Sequence, residues 1–392
     1  MQLTIPAGLP WDDGRWACAI LRQAGHEAWL VGGCVRDLLL KCLTHDVDVA
    51  TSAHPEQIEK LFPKVIAVGR AFGVMIAVVP EGRNIEIATF RHDGAYIDGR
   101  RPTQVVFSTA REDVRRRDFT INGLLLDPQN GMVIDHVGGV EDLQARVLRV
   151  IDGAQRIAED RLRVLRGIRF IAHFGLTPTA DTWAAVIATP LTGLSRERIW
   201  QEIIKGLAHA PARWFEQLIA SGHLGEVMPP VPQIALPGIG AALEKITPSD
   251  DPLLALAIVM QAVPELSRWT WLQHEPVPRE RIKRLREAIT GASILLAGCA
   301  LAQRRRVLRA PDAALVVRLL TCLGHVHEAS AWLVAEQAIG NLAPLVSARD
   351  LLALGITPGP GLGKLLQEIE DQQLNGILKT AEEALLWAHA HK

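Results

Sequence analysis

The sequence predicts an α+β protein: an N-terminal head with a mixed sheet, followed by a remainder made only of helices. Three observations carry this. Up to about residue 150, short runs rich in Val and Ile recur between Gly and Pro, among them "AWLVGG", "DVDVAT", "KVIAVG", "VMIAVVP", "NIEIATF", "QVVFS" and "MVIDHVGG". From about Ala154 the strand signals stop, and "AQRIAEDRLRVLRGIRFIAHFG" carries apolar residues at helical spacing with a glycine near its end. The chain has 392 residues, 48% of them hydrophobic and 22% charged, which suffices for several cores and excludes long disorder.

The elements follow in order. "HPEQIEKLF" reads as a helix between strands. "SRERIWQEIIKGL" reads as a helix capped by Ser195 and stopped at Gly206. The later chain reads as helical, with breaks at "MPPVPQIALPGIG" and "GITPGPGLG", and "PLLALAIVMQAV" suits a buried helix. These signals divide the chain into a head (1–152), a helical neck (153–210), a body (211–330) and a tail (331–392). No apolar run reaches the ~18 residues of a membrane span. Five scattered cysteines, none in CxxC spacing, and the lack of a signal peptide pattern fit a reduced, cytoplasmic protein. A net charge of -1 excludes a global basic field, so any nucleic acid must be held by local patches such as "REDVRRRD", "PRERIKRLRE" and "QRRRVLR".

The stretch "WLVGGCVRDLLLKCLTHDVDVAT" carries the chemistry. Asp46 and Asp48 sit two apart in a strand pattern, so they share a face and repel each other. A divalent cation removes that conflict, and hard oxygen ligands favour Mg²⁺. Upstream, "LVGGCVRD" is a strand, a Gly-Gly turn and a helix start, where backbone and Arg36 can cradle phosphate. Phosphate cradle and carboxylate pair together indicate phosphoryl or nucleotidyl transfer. The His45-Asp46 and His92-Asp93 pairs lack the further ligands that a metal phosphohydrolase needs.

Four further motifs fall in the order of one family. "RRRDFTING" from Arg115, "DHVGGVEDL" from Asp135, "EDRLRVLRGIRF" from Glu159 and "SRERIWQEIIKGL" from Ser195 join the Gly-Gly and Asp-x-Asp motifs across about residues 28–207. Together they resemble the class II tRNA nucleotidyltransferases, a group that includes bacterial poly(A) polymerases and whose heads are polymerase beta-like. Gly123 stands where the family usually has Ala, and His136 where it has Pro. The C-terminal half matches only loosely.

The resemblance implies a template-independent enzyme. It would add the 3′-terminal nucleotides of CCA, or the terminal A alone, from NTPs to tRNA with release of pyrophosphate. Asp46 and Asp48 would bind Mg²⁺, with Glu86 a weaker third carboxylate. Gly32, Gly33 and Arg36 would meet the triphosphate, Arg117 the nucleotide and Asn122 its sugar. Asp160, Arg163, Arg166 and Arg169 would read the base and bind phosphate; a carboxylate beside a guanidinium fork can mimic a complementary base edge. The partners implied are the tRNA 3′ end, ATP and, in members that build the whole triplet, CTP, with no membrane and no obligate protein partner. The tail would contact tRNA, and its "DLLALGITPGPGLGKLL" offers backbone amides and Lys364.

"TFRHDGAYIDGRRPTQVVF", with the sole tyrosine Tyr96, resembles the family loop between the catalytic and RRD motifs. Members that add only C have it shortened; here it is full length, which favours addition of A. A poly(A) polymerase is the rival within the family. An inactive RNA-binding module is the rival outside it, and the intact Asp46, Asp48 and Arg117 speak against that.

Overall fold

The computed structural model describes residues 1–94, 105–339 and 342–391. The loop singled out above lies largely in 95–104, outside the described residues. The chain divides into two compact units, Met1–Gly206 with Arg213–Val227, and Leu207–Ala212 with Met228–Lys392.

The first unit is built on strands β1 (Ala28–Val31), β2 (Asp48–Thr51), β3 (Val65–Gly69), β4 (Val74–Val78), β5 (Asn84–Thr89), β6 (Arg91–Asp93), β7 (Val105–Phe107), β8 (Leu124–Leu126) and β9 (Val133–Asp135). Seven of them form one mixed sheet in the order β3-β4-β5-β2-β1-β8-β9. Only β2 and β5 run parallel within it; β6 and β7 pair separately as an antiparallel ribbon. Val31, Ala50, Phe90, Val114 and Leu125 meet in a buried cluster. On the unit's helices, α1 (Trp11–Gln23) buries Trp11, Ala17, Cys18 and Leu21.

The remaining helices of this part are α2 (Gly33–Leu39), α3 (Pro55–Leu61), α4 (Ala110–Arg115), α5 (Gly139–Gln144), α6 (Gln155–Glu159), α7 (Leu162–Phe174), α8 (Ala180–Ala188), α9 (Arg196–His209), α10 (Pro211–Ala220) and α11 (Leu224–Val227).

Several local expectations are corrected. Asp46 is not on the strand: β2 begins at Asp48, opposite Val31, because β1 turns away at Gly32 and offers no further pairing partner. The neck helix is split. Asp160 takes an extended conformation, φ -134, and its carboxylate accepts the amide of Leu162 at 3.2 Å. That local bond competes with the helix and restarts it as α7. Gly206 does not stop α9, which runs on to His209. A Cβ there would stand 2.4 Å from the buried Trp214 ring, so glycine is required by close packing inside the helix. Strand structure also continues past Ala154, as Thr177–Pro178 pairs with Val147–Leu148. "LPGIG", expected as part of a break, opens the helix Leu236–Leu243, with Pro237 in its first turn, where a missing N–H costs nothing.

The second unit is helical among the described residues. Leu253–Ala262, apolar all round, is buried from Leu253 to Met260 and packs on Arg279–Leu296 and Ala313–Cys322. A separate cluster of Val346, Leu351, Leu365, Ile369, Leu378, Ala384 and Ala388 holds the last three helices. Helix Val326–Ile339 runs across position 330/331. The "QRRRVLR" cluster is largely neutralised: Arg306 pairs with Glu370 and Asp371, and Arg305 and Arg309 pair with Glu336. Among the described residues no helix is long and apolar enough to cross a membrane.

Candidate active site

The site begins where β1 ends. Gly32 has φ +74, a backbone conformation that favours glycine, and α2 starts at the next residue. A Cβ on Gly32 would lie 3.0 Å from Arg117 Nη1, and one on Gly33 would lie 3.4 Å from Arg36 Nη2. The glycine pair thus leaves room for two guanidinium groups at the turn.

Arg36 is nearly buried. It donates to Asn122 Oδ1 at 2.6 Å and from two nitrogens to Asp37 Oδ1, and it lies over Phe174 and Phe170 at 4.6 and 5.1 Å. Asn122 passes the contact on through Nδ2 to Asp118 Oδ1 at 2.9 Å. Asp118 also accepts from the Phe119 amide at 2.8 Å and from Arg166 Nε at 2.7 Å. Burial of Asp118 works against its charge, but Arg166 and Asn122 outweigh it and hold the carboxyl at about 2. Arg169 donates to the buried Glu202 of α9 at 2.7 Å, and Arg166 and Arg169 join Arg36 around the Phe170 ring at 5.3 and 4.5 Å. One phenyl therefore spaces three guanidinium groups.

The α7 arginines rise from one helix, but Asp160 precedes it. Asp160 accepts from Arg198 Nη2 at 2.8 Å. Arg163 donates to the backbone carbonyls of Arg116, at 3.0 Å, and of Arg156. All nine residues expected at the nucleotide, Gly32, Gly33, Arg36, Arg117, Asn122, Asp160, Arg163, Arg166 and Arg169, line one cavity of about 410 Å³, together with Asp48.

Asp48 also lines a second cavity of about 500 Å³, which holds Asp46, Glu86, His45 and the Asp13–Arg83 ion pair. Enclosure by protein, then Glu86, pushes the Asp48 carboxyl up to about 6; Arg117 opposes this and Asp46 adds to it. Asp48 lines both cavities and is crowded by neighbouring carboxylates, which is the reason to expect a cation there. The donor set fits one: Asp46 and Asp48 supply hard oxygens, and among the described residues no cluster of three His, Cys, Asp or Glu side chains cages an ion alone. Two carboxylates that leave the remaining positions to water and substrate phosphate is the pattern Mg²⁺ takes.

Arg116, Asp118 and Phe170 also line the first cavity and were not among the expected site residues. All three sit inside quoted motifs, which is the signal that would have found them. Asp113, Arg198 and Glu202 support it from outside; they too lie in quoted stretches, "REDVRRRD" and "SRERIWQEIIKGL", but the stretches do not show which side chains they meet.

A mixed sheet with an aspartate at the start of a central strand, a glycine turn beside it and arginines converging on both defines a nucleotidyltransferase head. Residues 28–149 match the family model for the poly A polymerase head domain. The CCA-adding enzymes of Streptococcus sanguinis and Levilactobacillus brevis are 34% and 32% identical to this chain, over 93% and 94% of both partners. The chain belongs to the CCA-adding enzyme family of tRNA nucleotidyltransferases. Its fold aligns with Bacillus stearothermophilus CCA-adding enzyme in complex with CTP at a TM-score of 0.79 and 26% identity, over 98% of each chain.

Proposed function

We propose that this protein builds the whole CCA end of tRNA, transferring two cytidylates and then an adenylate from CTP and ATP with release of pyrophosphate. The observation that carries the reading is Asp48 standing between two cavities of opposite character. One is lined by guanidinium groups suited to a triphosphate; the other holds the carboxylates. Full-length likeness to curated CCA-adding enzymes favours the complete triplet over poly(A) synthesis.

In this reading Asp46 and Asp48 hold Mg²⁺, which when bound lowers the pKa of the attacking 3′-hydroxyl and offsets triphosphate charge. Arg36 and Arg117 bind the triphosphate at the glycine turn. The Asp118–Asn122–Arg36 chain keeps Arg36 there, and Asn122 meets the sugar. Asp160 and Arg163 read the Watson–Crick edge, while Arg166 and Arg169 hold the phosphate side of the pocket. Five free cysteines, three of them buried, accord with a reducing cytoplasm. The second unit contacts tRNA through phosphates. Arg279, Lys283 and Arg286 on one face of Arg279–Leu296 are the better surface, because Arg305, Arg306 and Arg309 are held in ion pairs whereas Lys283 has only a long, exposed contact with Glu287.

A tRNA lacking CCA and an oligo(A) primer, each offered all four NTPs singly, test the assignment. Extension of the tRNA by C, with little extension of oligo(A), is expected; long A tracts on oligo(A) would assign a poly(A) polymerase instead. Base choice is tested separately. Exchanging Asp160 and Arg163 changes the preference for ATP and CTP over GTP and UTP by ~1–3 kcal/mol, the worth of a good bidentate contact. Equal loss with all four NTPs would leave these two residues as supports and place base reading elsewhere.

A further inference from the structure

Asp113, on the short α4 within the basic stretch "REDVRRRD", is buried to 1% exposure and was not among the expected site residues. Both oxygens are used. Oδ1 accepts from Arg116 Nε at 2.8 Å and from the backbone amide of Arg91 at 3.3 Å; Oδ2 accepts from Arg117 Nη2 at 3.1 Å. A buried carboxylate is costly unless paired, and here two guanidinium groups more than offset the burial and keep it charged.

The two arginines lead to different parts of the pocket. Arg117, gripped through Nη2, presents Nη1 to the Gly32 turn, 3.0 Å from where a Cβ there would be. Arg116 offers its carbonyl to Arg163 Nη2 at 3.0 Å and, with the Arg156 carbonyl on the other nitrogen, helps to seat Arg163. Arg91 starts β6, which pairs with β7 beside α4. A single carboxylate therefore ties together the turn arginine, the support of the neck arginine and the root of the β6–β7 ribbon.

We infer that Asp113 is a positioning residue for nucleotide recognition, aiming Arg117 at the triphosphate and, through Arg116, seating Arg163 at the base. The inference rests on the nucleotide-transfer reading above. It acts through neighbours, so its signature is a change in nucleotide affinity and fidelity with the chemical step largely kept.

The test uses Asp113→Asn, which keeps the shape and removes the charge, in the full chain. Folding is checked by thermal unfolding, and ATP affinity is measured both as KM on a tRNA ending in CC and as Kd by direct titration. Both constants rise roughly tenfold while kcat falls less than about threefold, and misincorporation of GTP and UTP increases. In an Arg117→Ala background the same change raises KM by a smaller factor than in the parental protein, because of the two arginines it positions only Arg163 remains. Parental KM and Kd in folded Asp113→Asn, or effects of the two substitutions that simply multiply, would overturn the inference. If Asp113→Asn does not fold, Asp113→Glu keeps the charge but displaces the guanidinium groups. It raises KM and Kd in the same way, and parental values there also overturn the proposal. If the parental protein transfers no nucleotide, the functional reading fails, while the ATP titration still decides on Asp113.

Discussion

Asp48→Asn abolishes turnover, by roughly a thousandfold or more, which corresponds to about 4 kcal/mol of transition-state stabilisation. It does so without weakening the fold. Enclosure by protein, then Glu86 and Asp46, raise the Asp48 carboxyl to about 6; removing its charge relieves both the enclosure penalty and the repulsion. Unfolding temperature therefore stays at or slightly above the parental value while incorporation of C and A disappears together. Asp46→Asn gives the same loss of rate. Near-normal incorporation by either variant in Mg²⁺ would remove the carboxylate pair from the mechanism.

Asp118→Ala has the opposite profile. The buried Asp118 pairs with the half-buried Arg166, with Asn122 and the Phe119 amide as further donors. Truncating it leaves the Arg166 guanidinium without its main counter-charge; because Arg166 keeps some access to water, the cost falls below that of a fully buried pair, at about 2–3 kcal/mol in stability. The pH dependence has a definite sign. A carboxyl held at about 2 in the folded protein, against an ordinary 3.8, contributes stability that is fully present above about pH 4. That contribution is lost as the pH falls towards 2. The parental protein should lose stability across this window, and the variant, already without the contribution, should show a flatter profile there. Urea unfolding at pH 7, 4 and 3 measures both. Parental midpoints for Asp118→Ala at pH 7 would mean that Arg166 is satisfied by other groups.

The two profiles show why parts of this site could be read from sequence and others could not. The glycine pair, the Asp-x-Asp spacing, the RRD motif and the three-residue step of Arg163, Arg166 and Arg169 are local patterns, and local patterns survive in a string of letters. Likewise, the change from Val- and Ile-rich runs to helical spacing near residue 150 is a matter of periodicity. What escaped is what depends on distant partners. Glu202 faces Arg169 from another helix, Asp113 reaches back to Arg91, and Phe170 looks like ordinary core until three guanidinium groups are seen around it. The misplaced boundaries have the same origin. Gly206 resembles a helix stop until Trp214 occupies the space beside it, and Asp160 fits a helical period until its side chain captures the Leu162 amide. Asp46 left the strand because its neighbour β1 ended, which depends on pairing rather than on propensity.

The central claim is that one pocket beside Asp48 serves every addition. The most direct measurement offers CTP and ATP, separately and together, to tRNAs ending at the discriminator base, in C and in CC, and resolves the products to single nucleotides. The account predicts two C additions from CTP on the first, one on the second, a single A from ATP on the third and a complete CCA on all three when both are present. Asp48→Asn loses every step at once. A protein that adds A to the CC end but never uses CTP, or an Asp48→Asn variant that loses one addition and keeps the other, would contradict it.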